Sequence, residues 1–158
     1  MKKQFLLFAV FAALCILSPS LSFGQDTLKT KDLNYSVFFK VQPADVYSTL
    51  MDSKKHAAFT GAPAEISGEV GGKFSVYGGY IYGVNLELIK DKKIVQSWRP
   101  KSWTVEDHYS TVTFLIEADE AGTKLTFSQI GIPVENFESI SAGWYSHYWE
   151  PMKKFFEK

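Results

Sequence analysis

Three histidines, His56, His108 and His147, are the side chains of this 158-residue chain best suited to move protons near neutral pH. No two of them have the i, i+4 spacing of a helical metal site, and no HExxH motif is present. His147 stands next to Tyr148 in the aromatic stretch GWYSHYWEPMKKFF, Gly143 to Phe156. If the protein is an enzyme, His147 and Tyr148 are its candidates for proton handling. A catalytic histidine also needs an orienting partner, and the sequence names none. The alternative at all three positions is a surface or partly buried histidine with no chemical role. No GxSxG elbow marks a nucleophile. Gly71-Gly72-Lys73 lacks the rest of a phosphate-binding loop and reads as a turn opening a strand. Glu69 and Glu87 are isolated acids on or near strands, at a cavity mouth or on a solvated face. Trp98 and Trp103 flank the segment RPKS. That segment reads either as an anion-binding mouth with a cation over an indole or as a rigid loop anchored by its aromatics. No metal and no cofactor is expected.

The elements that must position these residues follow from hydrophobic periodicity. Leu33, Tyr35, Val37, Phe39 and Val41 alternate along a half-buried strand, which Gln42-Pro43 ends. Pro43 and Asp45 suit the first turn of a helix whose apolar stripe is Val46, Tyr47 and Leu50. Asp52-Ser53 can cap a second short helix that Gly61 terminates. From Ala64 onward the chain reads as strands and tight turns, so neighbouring strands are antiparallel. The turns fall at Gly78-Gly79, Asp91-Lys92 and Ala121-Gly122. Tyr82, Val84, Leu86 and Leu88 are assigned to one face of a long strand, and Gly83 within it signals a bulge or a close backbone approach.

After Pro133 the period changes to that of a helix. Phe137, Ile140, Trp144, Tyr148, Pro151 and Phe155 form one stripe, and Tyr145, Trp149, Met152 and Phe156 the stripe beside it. Pro151 should break a backbone hydrogen bond and bend the helix, so packing must hold it. The aromatic face demands a broad apolar partner, and the sheet is the available one. Large rings against a curved sheet leave room for a cavity.

The amino terminus carries an address. Lys2 and Lys3 precede an unbroken apolar run from Phe5 to Leu17, and Ser22-Phe23-Gly24 offers small residues for cleavage. Residues 1–24 are therefore expected to be a signal peptide cut near Gly24-Gln25, residues 25–32 a short leader, and 33–158 the domain. The mature protein is then secreted or periplasmic, with no membrane span, since the apolar run is shorter than the roughly 20 residues a helix needs. Cys15, the one cysteine, lies in that run, so the mature chain has no disulfide or thiol chemistry. The 17 basic and 17 acidic side chains balance, no basic stripe appears, and nucleic acid is not an expected partner.

Strand, two short helices, a meander of strands and a long C-terminal helix make an α+β, helix-grip arrangement, with a curved antiparallel sheet wrapped around the last helix. The stretches ADVYSTLMDSKKHAAFTGAPAEISGEVGGKFSVYGG, IVQSWRPKSW, STVTFLIEADEAGTKLTFSQIGIP and GWYSHYWEPMKKFF sharpen this reading. They resemble the C-terminal domain of the activator of heat-shock protein 90 ATPase, in the START-like, Bet v 1-like (SRPBCC) superfamily. The resemblance runs from about Leu33 to Phe156, nearly all of the expected mature chain. It implies the helix-grip fold and, by analogy with single-domain members of the superfamily, an apolar cavity under the C-terminal helix. On that basis the expected function is non-catalytic binding of a small apolar or amphipathic molecule. Face periodicity puts Phe59, Tyr82, Trp98, Phe114, Phe127, Trp144 and Tyr148 on its wall. Two alternatives stay open: an enzyme of cyclase, dehydratase or hydrolase type in the same cavity, and a chaperone-related module whose partner is another protein.

Overall fold

The computed structural model describes residues 28–106 and 108–158. The expected signal peptide and residues 25–27 of the expected leader lie outside the described residues. β1 (Thr30–Phe39) is followed by α1 (Pro43–Met51) and α2 (Ser53–Thr60). A meander then runs through β2 (Glu65–Ile66), β3 (Lys73–Val76), β4 (Ile81–Ile89), β5 (Lys93–Pro100), β6 (Ser110–Asp119) and β7 (Gly122–Pro133). The seven strands form one antiparallel sheet in the order β1-β7-β6-β5-β4-β3-β2. The first strand thus pairs with the last, and the helix-grip architecture is present. β1 begins at Thr30, earlier than the polar texture of residues 26–32 suggests. The ladder to β7 continues through Lys31 opposite Ile132, so backbone pairing carries these exposed side chains into the strand.

Local signals behave as their chemistry requires. Pro43 opens α1, where its missing N–H has no partner to lose. The Asp52 side chain accepts from the Lys55 N–H at 2.9 Å and caps α2, and Gly61 closes it at φ 71°. Gly78 and Gly79 both have positive φ in the β3–β4 turn.

The C-terminal helix is three segments in line: α3 (Phe137–Trp144), a π-helical turn (Tyr145–Trp149) and α4 (Glu150–Phe156). The π turn is marked by the Glu150 N–H reaching back to the Tyr145 carbonyl. It also corrects the two expected stripes. An extra residue in the turn brings Tyr148, Trp149 and Met152 all inward, while Tyr145 points to solvent. A strict 3.6-residue period cannot anticipate that.

The assignment of β4's faces is corrected as well. A bulge between Asn85 and Glu87 shifts the alternation. Upstream of it Gly83 and Asn85 face inward, Tyr82 faces the other side, and Leu86 is the exposed extra residue. Downstream, Leu88 comes back to the core opposite buried Ile94.

Gly83 marks a close approach. A Cβ there would overlap the Ser97 carbonyl on β5 and press on the Phe74 ring. The obstacle is backbone on one side and a buried ring on the other, so little can yield. Gly83→Ala should therefore cost about 2 kcal/mol or more of unfolding free energy through overpacking. Urea denaturation of the two proteins measures it; a loss under about 0.5 kcal/mol would contradict the close approach.

Candidate functional site

The helix is fixed to the sheet at Trp144. Its indole lies 4.4 Å from the Phe127 ring, between centroids, and 5.7 Å from Trp98, and it also meets Phe114, Tyr148 and Trp149. Its Nε1–H donates to Gln129 Oε1 at 2.6 Å. Gln129 Nε2 donates to Ser110 Oγ at 2.8 Å, and that hydroxyl donates to the Trp98 carbonyl at 3.0 Å. A buried polar relay therefore crosses β7, β6 and β5 beneath the helix, with every member partnered.

On the β3–β5 side of this anchor the helix and sheet separate around a cavity of about 480 Å³. That is the size of a small-molecule site. Its wall is mainly aromatic and aliphatic, with Phe74, Ile94, Trp98, Phe114 and Trp144 among the contributors. Four of the residues expected there line it: Trp98, Phe114, Trp144 and Tyr148. Phe59 and Phe127 instead lie in the solid core, Phe59 edge-on to Tyr148 and Phe127 beneath Trp144. Tyr82 lies on the opposite side of the sheet, edge-on to Tyr109, because the bulge follows it in β4 rather than precedes it.

Two of the polar groups on the wall form a pair the sequence does not announce. His56 Nε2 lies 2.9 Å from Tyr148 Oη, and both residues line the cavity. His56 is 2 % exposed. Its Nδ1 is buried without a partner among the described residues, so protonating the ring would place an uncompensated cation in the core. Burial accordingly lowers its pKa to about 4. Burial also pushes the Tyr148 phenol well above its usual 10, with Tyr77 a lesser contributor. Both groups are neutral at physiological pH. The partner of Tyr148 is thus the histidine 92 positions away, whereas His147 is exposed at the cavity mouth.

His147 matters through its backbone. Pro151 has no N–H to give to the carbonyl four residues earlier, which is that of His147. The Tyr77 hydroxyl donates to that carbonyl instead, at 2.7 Å. Tyr77 sits at φ 53°, a conformation bulky side chains avoid, in the turn between β3 and β4. Its phenol pKa is raised by burial to about 12, so it remains a donor. The proline and the strained tyrosine form one joint, which ties the hairpin turn to the helix across the mouth of the cavity.

The other candidates are structural. Arg99 donates to the carbonyl oxygens of Trp103, Val105 and His108 at 2.6–3.0 Å, holding the loop after β5. Its guanidinium lies over Tyr109 rather than an indole. The RPKS segment is therefore a rigid loop rather than an anion-binding mouth. His108 stacks on Trp103, with its Nε2 2.6 Å from the Gly131 carbonyl. The N–H groups of Gly71 and Gly72 donate to the Asn85 and Glu69 carbonyls, so they do not cradle a phosphate. Glu87 pairs with Lys93 at the surface. Among the described residues no cluster of three or more His, Cys, Asp or Glu could hold a metal, and no helix is long and apolar enough to cross a membrane.

Residues 40–157 match the family model described as activator of Hsp90 ATPase homolog 1-like protein. The chain belongs to that family. An activator of 90 kDa heat shock protein ATPase homolog from Dictyostelium discoideum is 39% identical over 117 residues, 73% of this chain and 30% of the relative. The human activator homolog 1 is 34% identical over 118 residues, 75% of this chain and 35% of the relative. The chain thus spans about a third of the length of these relatives. Among solved structures, an HSP90 activator from Plasmodium falciparum superposes with a TM-score of 0.74 at 28% identity, covering 80% of this chain and 96% of that one. The Aha1 dimer from Colwellia psychrerythraea, at 18% identity and a TM-score of 0.68, shares the fold, with 81% of this chain and 97% of that one covered.

The His56 site makes a pH prediction for this family member. The folded pKa of about 4 lies below the unfolded value near 6.5, so between them the unfolded state binds the proton. Stability from this group is complete above about pH 6.5 and falls as pH drops toward about 4, by about 3 kcal/mol. Urea unfolding at about pH 7 and about pH 4.5 should show this loss in the native protein and a smaller one in His56→Leu. Equal pH dependence in the two would refute a buried, neutral His56.

Proposed function

We propose that this chain is an exported START-like binding protein that holds a small apolar or amphipathic molecule between its sheet and C-terminal helix, without catalysing a reaction. The observation that carries this reading is the cavity itself: about 480 Å³, walled mainly by aromatics and aliphatics, with polar anchors among them. The anchor pair supports binding over proton chemistry. A histidine with a pKa of about 4 is a weak base, and a phenol pushed up by burial is a weak acid. Export rests on the sequence of residues 1–24, a basic start, an apolar run and a small-residue cleavage site.

A second reading has its own support. The curated relatives bear the name of Hsp90 ATPase activators, so the family makes a protein partner a candidate for this domain too. In that case surface, not cavity, forms the contact.

Native mass spectrometry on protein purified from the export compartment separates these readings. The binding reading predicts a complex heavier than the mature chain by the mass of a small molecule, which extraction then identifies. A clean mass for the bare chain after gentle purification, together with stimulation of Hsp90 ATPase by the purified domain, would replace it with the protein-partner reading.

A further inference from the structure

The polar inventory of the cavity narrows the chemistry of its occupant, on the reading that the cavity binds a ligand. Among the described residues its wall contains no Asp, Glu, Lys or Arg. The ionisable wall groups among the described residues are His56, His147, Tyr77, Tyr80 and Tyr148. His56 and Tyr148 are buried and neutral, Tyr77 is tied to the His147 carbonyl, and Tyr80 shares a 2.7 Å hydrogen bond with Ser102 at the rim. His147 is at the exposed mouth. A carboxylate, phosphate or ammonium drawn into such a site would lose its hydration without meeting an opposite charge.

The wall nevertheless offers both an acceptor and a donor. Gln96 lines the cavity and is 8 % exposed. Its amide orientation is set from outside. Asn85 Nδ2 donates to the Ser67 and Glu69 carbonyls, so Asn85 Oδ1 is the atom turned toward Gln96. Gln96 must answer with Nε2, at 2.8 Å. Its Oε1 then has no hydrogen-bond partner among the described residues, which makes it an acceptor fixed on the cavity wall.

The donor comes from the His56–Tyr148 pair. One hydrogen joins Nε2 and Oη, and the pair carries two. Placing the ring proton on Nδ1 would orphan a buried N–H. Placing it on Nε2 makes the histidine the donor and frees the phenol hydrogen of Tyr148. The histidine thereby sets the direction in which Tyr148 donates.

We propose that the cavity takes an uncharged, mainly apolar molecule bearing a group that can both donate and accept a hydrogen bond, an alcohol, phenol or amide, with Gln96 and Tyr148 as its recognition residues. Acids, phosphates and amines of the same shape are discriminated against by lack of counter-charge. Pure hydrocarbons are discriminated against because they leave Gln96 Oε1 and the Tyr148 hydroxyl unpaired.

Three ligands of one ring system test this: naphthol, naphthoate and methylnaphthalene, titrated into the purified protein with heat or tryptophan fluorescence as readout. Naphthol should bind about tenfold tighter than methylnaphthalene, and naphthoate more weakly than either. Tyr148→Phe should remove about threefold to tenfold of the naphthol affinity while leaving methylnaphthalene unchanged, a split that general damage to the fold would not produce. Gln96→Leu should do the same and serves if Tyr148→Phe unfolds. Naphthoate binding as well as naphthol, equal affinities for naphthol and methylnaphthalene, or a preference untouched by both variants would each overturn the proposal while leaving the cavity in place. Failure of all three ligands to bind would instead overturn the binding reading on which it rests.

Discussion

The hydrogen bond from Trp144 Nε1 to Gln129 Oε1 is the point on which the rest of the molecule turns. A C-terminal helix interrupted by a proline and a π turn has weak internal reasons to form, so contact with the sheet must hold it. An apolar face alone would permit it to slide or roll, because hydrophobic contact is not directional. The 2.6 Å bond selects one register. Gln129 can accept there because its own N–H is engaged by Ser110, which is in turn directed by the Trp98 carbonyl. Each member is buried, so losing any one would leave the next unsatisfied in a low-dielectric interior. At the amino end of the helix, Tyr35 adds a second tie through Ser141 Oγ at 2.7 Å.

With the helix held at Trp144, the sheet can curve away beyond it without collapse, and the cavity is the space that remains. Its far side is set by the joint at Pro151. The proline frees the His147 carbonyl, the π turn swings Tyr148 inward, and the Tyr77 hydroxyl reaches across from the β3–β4 turn to donate to that carbonyl. Strain at Tyr77 and the lost helical bond are both offset by that single contact. Such irregularities accumulate where structure serves something other than stability. Here two of them meet at the cavity mouth, while the β1–β7–β6 side of the molecule is solidly packed.

Much of this was legible in the chain because it depends on local periodicity. The alternation in β1, the caps at Asp52 and Gly61, the glycine turns and the change of period after Pro133 all reflect short-range chemistry. So does the placement of Trp144 and Tyr148 on the buried side of the last helix. What escaped depends on contacts between distant residues or on a single extra residue. The β4 bulge puts Tyr82 and Leu88, expected on one face, on opposite faces, and the π turn exposes Tyr145. His56 was readable only as a histidine on a short helix, since nothing near it foretells Tyr148. Gln96 and Gln129 alternate within their strands like ordinary polar residues, yet both are buried, because each has a partner on another strand or helix. A buried glutamine has no sequence signature; it becomes visible only when its partners are placed.

The most direct test of this account is a double-mutant cycle between Trp144 and Gln129, using Trp144→Phe and Gln129→Leu with stability read from urea unfolding. If their hydrogen bond fixes the helix on the sheet, the two substitutions are coupled by about 1–2 kcal/mol, because either one alone strands its buried partner. Additive losses, within about 0.5 kcal/mol, would show that apolar packing alone places the helix and that the polar relay beneath it is incidental.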